Sequence, residues 1–143
     1  MVRGMNAAAT ESKPTRIKRS MDKGLVLVID DDLDTRAAAS ELLADMDYWP
    51  VTMRNGLEAL NYLRRGVEPV AILIDYYMPL MDGESFCQAL DEDPRLQKIP
   101  RILISANRDA DHRQRFCGAM AFLQKPIEGS ALEQTLRQAA EKH

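Results

Sequence analysis

The chain is 143 residues long, 45% hydrophobic and 29% charged, which leaves room for one domain with an ordinary core. Its net charge of −3 divides unevenly: residues 1–24 carry +4, so the remainder carries −7, and so acidic a body argues against a binding surface built on neutralising nucleic-acid phosphates. No apolar run approaches the length of a bilayer span, and no signal-like apolar segment follows the first basic residues, so a cytoplasmic protein is expected.

Residues 1–24, with Ala7-Ala8-Ala9, Pro14 and scattered bases, hold no sustained period and read as a flexible basic extension ahead of a domain over residues 25–143. From Leu25 an apolar run followed by an amphipathic segment recurs five times. After the first run, Asp34 can cap a helix whose apolar positions Ala38, Leu42 and Met46 fall at helical spacing. Val51-Thr52-Met53 is a weak second strand, and Pro50 before it lacks the N–H of a central ladder, which predicts a sheet edge. Asn55 precedes Leu57, Leu60 and Leu63 in a second helix that stops near Gly66.

Val70 to Ile74 is a continuous apolar run, the pattern of a strand covered on both faces. Gly83 to Leu90 supplies a third helix, Pro100 introduces a fourth strand, and Asp109 to Cys117 forms a short polar fourth helix. A fifth strand ends at Gln124, and Glu128 to Glu141 is a fifth helix with Leu132 and Leu136 facing inward. The fold class is therefore α/β: a (βα)5 flavodoxin-like, doubly wound parallel sheet of strand order 2-1-3-4-5. Cys87 and Cys117 lack a CxxC pattern and are expected as buried thiols, and His112 and His143 have no partner at ligand spacing.

Four of the apolar runs end on residues that handle phosphate or a divalent cation. Val26 to Ile29 ends on Asp30-Asp31-Asp32, Ile72 to Ile74 on Asp75, Ile102 to Ile104 on Ser105, and Ala121 to Gln124 on Lys125-Pro126. In an open parallel sheet such positions converge beyond the carboxyl ends of the strands. Clustered carboxylates repel one another and either take up protons or bind a cation, and a few hard oxygen donors suit Mg2+. Lys125 adds a point charge and Ser105 a hydroxyl donor for phosphoryl oxygens.

Leu27-Val28-Ile29-Asp30-Asp31, Asp75 with Met78-Pro79 and Gly83 after it, Ile104-Ser105-Ala106 and Phe122-Leu123-Gln124-Lys125-Pro126 together resemble the receiver domain of two-component response regulators. Arg36 and the segment from Asn55 to Leu60 also fall into place. The resemblance covers about residues 25 to 141 and is to a stand-alone, chemotaxis-regulator-like member. It implies a single-domain regulator that accepts a phosphoryl group on Asp75 from a sensor histidine kinase or histidine phosphotransfer protein, a phosphoacceptor signalling domain rather than an enzyme. It implies Mg2+ held by Asp30, Asp31, Asp75 and the backbone carbonyl of Tyr77, with Ser105 and Lys125 on the phosphoryl oxygens. It also implies a switch through Ser105 and Phe122, and a downstream protein target on the face of the fourth helix, fifth strand and fifth helix. No membrane contact and no DNA-binding domain are expected.

Several residues depart from the family pattern. Phe122 lacks a phenol hydroxyl, and Asp47 stands where glycine is frequent, although aspartate tolerates a left-handed turn better than most residues. The step from Ser105 to Lys125 is short, which predicts truncation of the fourth helix or its loop. Two other readings accommodate the same residues. One is a receiver-fold module that signals without phosphate; the other is a haloacid-dehalogenase-like phosphatase using Asp30 and Asp32, which leaves Asp75-Tyr76-Tyr77-Met78-Pro79 unexplained.

Overall fold

The computed structural model describes residues 21–78, 80–106 and 118–141. Five parallel strands, β1 (Leu25–Ile29), β2 (Trp49–Met53), β3 (Ala71–Asp75), β4 (Arg101–Ser105) and β5 (Ala121–Gln124), form one sheet of order β2-β1-β3-β4-β5. The described helices are α1 (Leu33–Asp45), α2 (Gly56–Leu63), α3 (Gly83–Asp91) and α4 (Gly129–Glu141), the last corresponding to the fifth helix expected from sequence. The fourth expected helix, residues 109–117, lies outside the described residues, as do residues 1–20, Pro79, Cys117, His112 and His143. Among the described residues no helix is long and apolar enough to cross a membrane.

Alternation along the strands builds two cores. Leu27, Ile29, Ile72, Ile74 and Leu103 point to one face and pack with Leu60 and Leu63 of α2 and Phe86 and Leu90 of α3. Val26, Val28, Leu73, Ile102 and Ile104 point to the other and pack with Leu43 of α1 and Leu132 and Leu136 of α4. All five residues of β3 and of β4 are buried, as continuous apolar runs between two helical layers require. β2 is an edge strand with Pro50 inside it, paired to Val26 on one side only.

Three expectations change. The α1 cap is Asp32, whose carboxylate accepts from the Thr35 N–H, and Asp34 sits in the first turn instead. The buried stripe of α1 is Ala39, Leu43 and Ala44, while Ala38 is exposed. An alanine-rich helix offers few bulky residues to set its phase, so a one-residue error is easily made. Cys87 is fully buried, as expected, but stands in a disulfide rather than as a thiol.

Asp47 adopts φ 71°, the left-handed turn anticipated for it. Gly24 has φ 109°, and a Cβ there would lie 2.6 Å from Val70 Cγ1. Gly24→Ala is therefore expected to cost about 1–3 kcal/mol, from backbone strain and overpacking together. A urea midpoint equal to that of the wild type would contradict this.

Candidate functional site

The register of the sheet puts the acidic strand ends side by side. Ile29 pairs with Ile74, so Asp30 and Asp75 emerge from neighbouring strands, and one carboxylate oxygen from each of Asp30, Asp31 and Asp75 lies within 4.8 Å of the others. Asp30 is 0% and Asp75 4% exposed, whereas Asp31 faces solvent. Lys125 leaves the far edge of the sheet, yet its Nζ reaches 2.7 Å from Asp30 Oδ2 and 3.4 Å from Asp75 Oδ2. Ser105, 1% exposed, ends β4 between them, and its carbonyl accepts the Lys125 backbone N–H at 2.9 Å.

Local hydrogen bonds hold the acidic loop. The Asp30 N–H donates to Met53 O at 3.1 Å, the Asp32 N–H donates to Asp30 Oδ1 at 2.9 Å, and Arg36 Nη1 donates to the Asp30 carbonyl at 2.7 Å. Asp32 also accepts from the Thr35 hydroxyl at 2.6 Å, which holds its carboxyl below the usual range. On the β3 side the Tyr77 N–H approaches Asp75 Oδ1 at 3.4 Å. Gly83 opens α3 by donating its N–H to Tyr76 O at 3.2 Å, and a Cβ there would sit 3.2 Å from the Tyr76 Cα. Its glycine thus allows the β3–α3 loop to fold back over the strand end.

Burial, and then the Asp30 charge, push the Asp75 carboxyl up to about 7, against the opposing pull of Lys125 and the Tyr77 N–H. Burial also works against the Lys125 ammonium, but contact with Asp30 and the charge of Asp75 outweigh it and hold Lys125 above its usual value. Asp30 Oδ2 is buried with no hydrogen bond of good geometry, the lysine beside it being an ion-pair contact. An oxygen-only donor set of mutually repelling carboxylates, two of them buried, fits a hard divalent cation.

Residues 26–137 match the response regulator receiver domain family. The chain belongs to that family. The Helicobacter pylori sensor histidine kinase CheAY is 30% identical over 90% of this chain, of which the chain spans 16%; the Brucella anthropi polar-differentiation response regulator DivK is 31% identical over 82% of this chain and 95% of that protein. The Vibrio cholerae chemotaxis response regulator CheY4 superposes with a TM-score of 0.73 at 27% identity, covering 80% of this chain and 97% of that one. The receiver is thus a signalling domain of two-component systems, with an acidic cluster at the strand ends.

The receiver brings Asp30, Asp31, Asp75, Ser105 and Lys125 to one edge of the sheet. Phe122 of β5 pairs with Leu103 of β4, two register steps before the Ser105–Gln124 pair, and packs partly buried against the core shared with α2 and α3. Tyr77 is 47% exposed, its ring edge-on to Tyr76 at 5.0 Å. The job of Arg36 on the Asp30 carbonyl was not read from sequence, although an arginine in the turn after three aspartates was the available signal. Leu80, at φ 69° and 77% exposed, had no such signal, because leucine seldom adopts that conformation.

Proposed function

We propose that Asp75 accepts a phosphoryl group from a phosphohistidine on a kinase or phosphotransfer protein, and that the product controls contacts with a downstream protein. The observation that carries this reading is a buried carboxylate with two further carboxylates within 4.8 Å and an ammonium at 3.4 Å. An Asp75 oxygen attacks phosphorus as the P–N bond breaks, the electron pair of that bond goes to the ring nitrogen, and the imidazole leaves neutral because its other ring nitrogen already carries a proton. Lys125, once released from Asp30, neutralises a phosphoryl oxygen, and the Ser105 hydroxyl donates to another. Asp30, Asp31, Asp75 and the Tyr77 carbonyl would hold Mg2+, whose charge relieves repulsion between the nucleophile and the incoming phosphoryl group.

Movement of Ser105 toward the phosphoryl group would open space for Phe122 to turn inward. The surface that responds is β5 with α4, and the phosphoryl group favours one of two packings there; the fourth helix expected beside them lies outside the described residues. Output by protein contact follows from that surface. We also read residues 25–143 as the receiver unit, with residues 1–24 as its extension.

Incubation with acetyl phosphate and Mg2+, followed by intact mass, tests the reading. One phosphoryl adduct supports it. No adduct favours a module that signals without phosphate, and rapid turnover of phosphomonoesters favours a phosphatase. We also propose that the half-exposed Tyr77 side chain, two residues after the acceptor, screens the acyl phosphate from water; Tyr77→Asn is then expected to lose the adduct severalfold faster than the wild type, and equal decay rates would remove that role.

A further inference from the structure

The amino edge of the sheet, opposite the acidic cluster, carries a second concave site. A cleft of about 430 Å³ opens among Lys23, Tyr48, Val70, Arg95, Lys98 and Leu136, with Ile99, Pro100 and Ala139 completing its apolar floor. That volume is within the range of small-molecule pockets, roughly 300–1,000 Å³. Val70 is 42% exposed on this floor. The wall is built rather than incidental: the missing Cβ of Gly24 is what lets Val70 lie against the chain before β1.

Charge separates this cleft from the rest of the protein. Lys23, Arg95 and Lys98 line it against the single acid Glu68, a local +2 in a chain of net −3. Arg95 donates Nη1 to Val67 O at 2.9 Å and Nη2 to Leu63 O, so carbonyls rather than a carboxylate hold its guanidinium in place. Lys23 Nζ sits 5.7 Å from the centre of the Tyr48 ring, a cation over an aromatic face. Neither lysine forms an ion pair with Glu68 among the described residues. The carbonyl end of α4 forms another wall at Ala139 and Ala140, which repels an anionic head and leaves it to the cations.

We infer that this cleft binds a small organic anion with a flat apolar body, an arenecarboxylate in chemical class. The apolar floor removes the ring from water while Lys23, Arg95 and Lys98 receive the carboxylate. The inference stands apart from phosphoryl transfer, since no residue of the acidic cluster lines the cleft.

The test titrates 15N-labelled full-length protein with 2-naphthoate, and in parallel with the uncharged 2-naphthalenemethanol. Saturable shifts at the amides of Lys23, Val70, Lys98 and Ala140, with the alcohol about tenfold weaker, support the site. The Lys23→Glu/Lys98→Glu variant should bind naphthoate at least about tenfold more weakly while keeping the wild-type affinity for the alcohol. Equal affinities for the two probes, shifts centred on Asp75 and Ser105, or no saturation would overturn it. The dispersion of the same spectra reports whether the variant is folded.

Discussion

Asp75→Asn is expected to abolish the phosphoryl adduct formed with acetyl phosphate and Mg2+, from one group per chain in the wild type to none. Removal of the acceptor oxygen's charge takes away the nucleophile while leaving shape and burial nearly unchanged, so the variant should fold. Asp31→Asn should retain the acceptor but need far more Mg2+ for the same extent of labelling, because a cation ligand is lost from a cluster with few donors. An Asp75→Asn variant that still gains the adduct would place the chemistry on another residue.

The second large effect is on stability in chelator. The Asp75 carboxyl lies near 7 in the folded protein because of burial and the Asp30 charge, against about 3.9 for an unperturbed aspartate. Between those values the folded state binds the proton that the unfolded chain has lost, so stability falls as pH rises from about 4 to 7 and then levels off. Asp75→Asn removes this penalty. In EDTA its Tm should exceed that of the wild type by about 3 °C or more above pH 7, with the difference closing toward pH 4. Mg2+, which competes with the proton for the same oxygens, should raise the wild-type Tm more at pH 8 than at pH 5. A Tm difference that grows on acidification would contradict the assigned cause.

The sheet was legible because its residues state their environment twice. Val70 to Ile74 reads as a strand covered on both faces, which holds from Ala71 onward while Val70 itself is 42% exposed, and Pro50 reads as an edge; both readings follow from backbone chemistry without knowledge of neighbours. The acidic cluster was legible because strand ends converge in any parallel sheet, so Asp30, Asp75, Ser105 and Lys125 needed only the strand order. Side-chain reach was not. Nothing in the spacing tells that Lys125 crosses to Asp30 rather than resting beside Ser105, or that Arg36 turns back to the Asp30 carbonyl. The α1 register was lost for a related reason: in a run of alanines, Ala38 and Ala39 differ only by a rotation that the rest of the fold decides. Arg101, 4% exposed and paired with Asp91, is a third case, a charge at the start of a strand whose partner lies on a different element.

The most direct measurement is the chemical location of the phosphoryl group. Protein treated with acetyl phosphate and Mg2+ is reduced with borohydride, which converts an aspartyl phosphate to homoserine, and all tryptic peptides, among them the one spanning Gly66 to Arg95, are sequenced by mass spectrometry. Homoserine at position 75, formed with Mg2+ and absent with EDTA, is the predicted result. Homoserine at Asp30 or Asp31 instead, or a borohydride-resistant phosphate on Ser105, would contradict it.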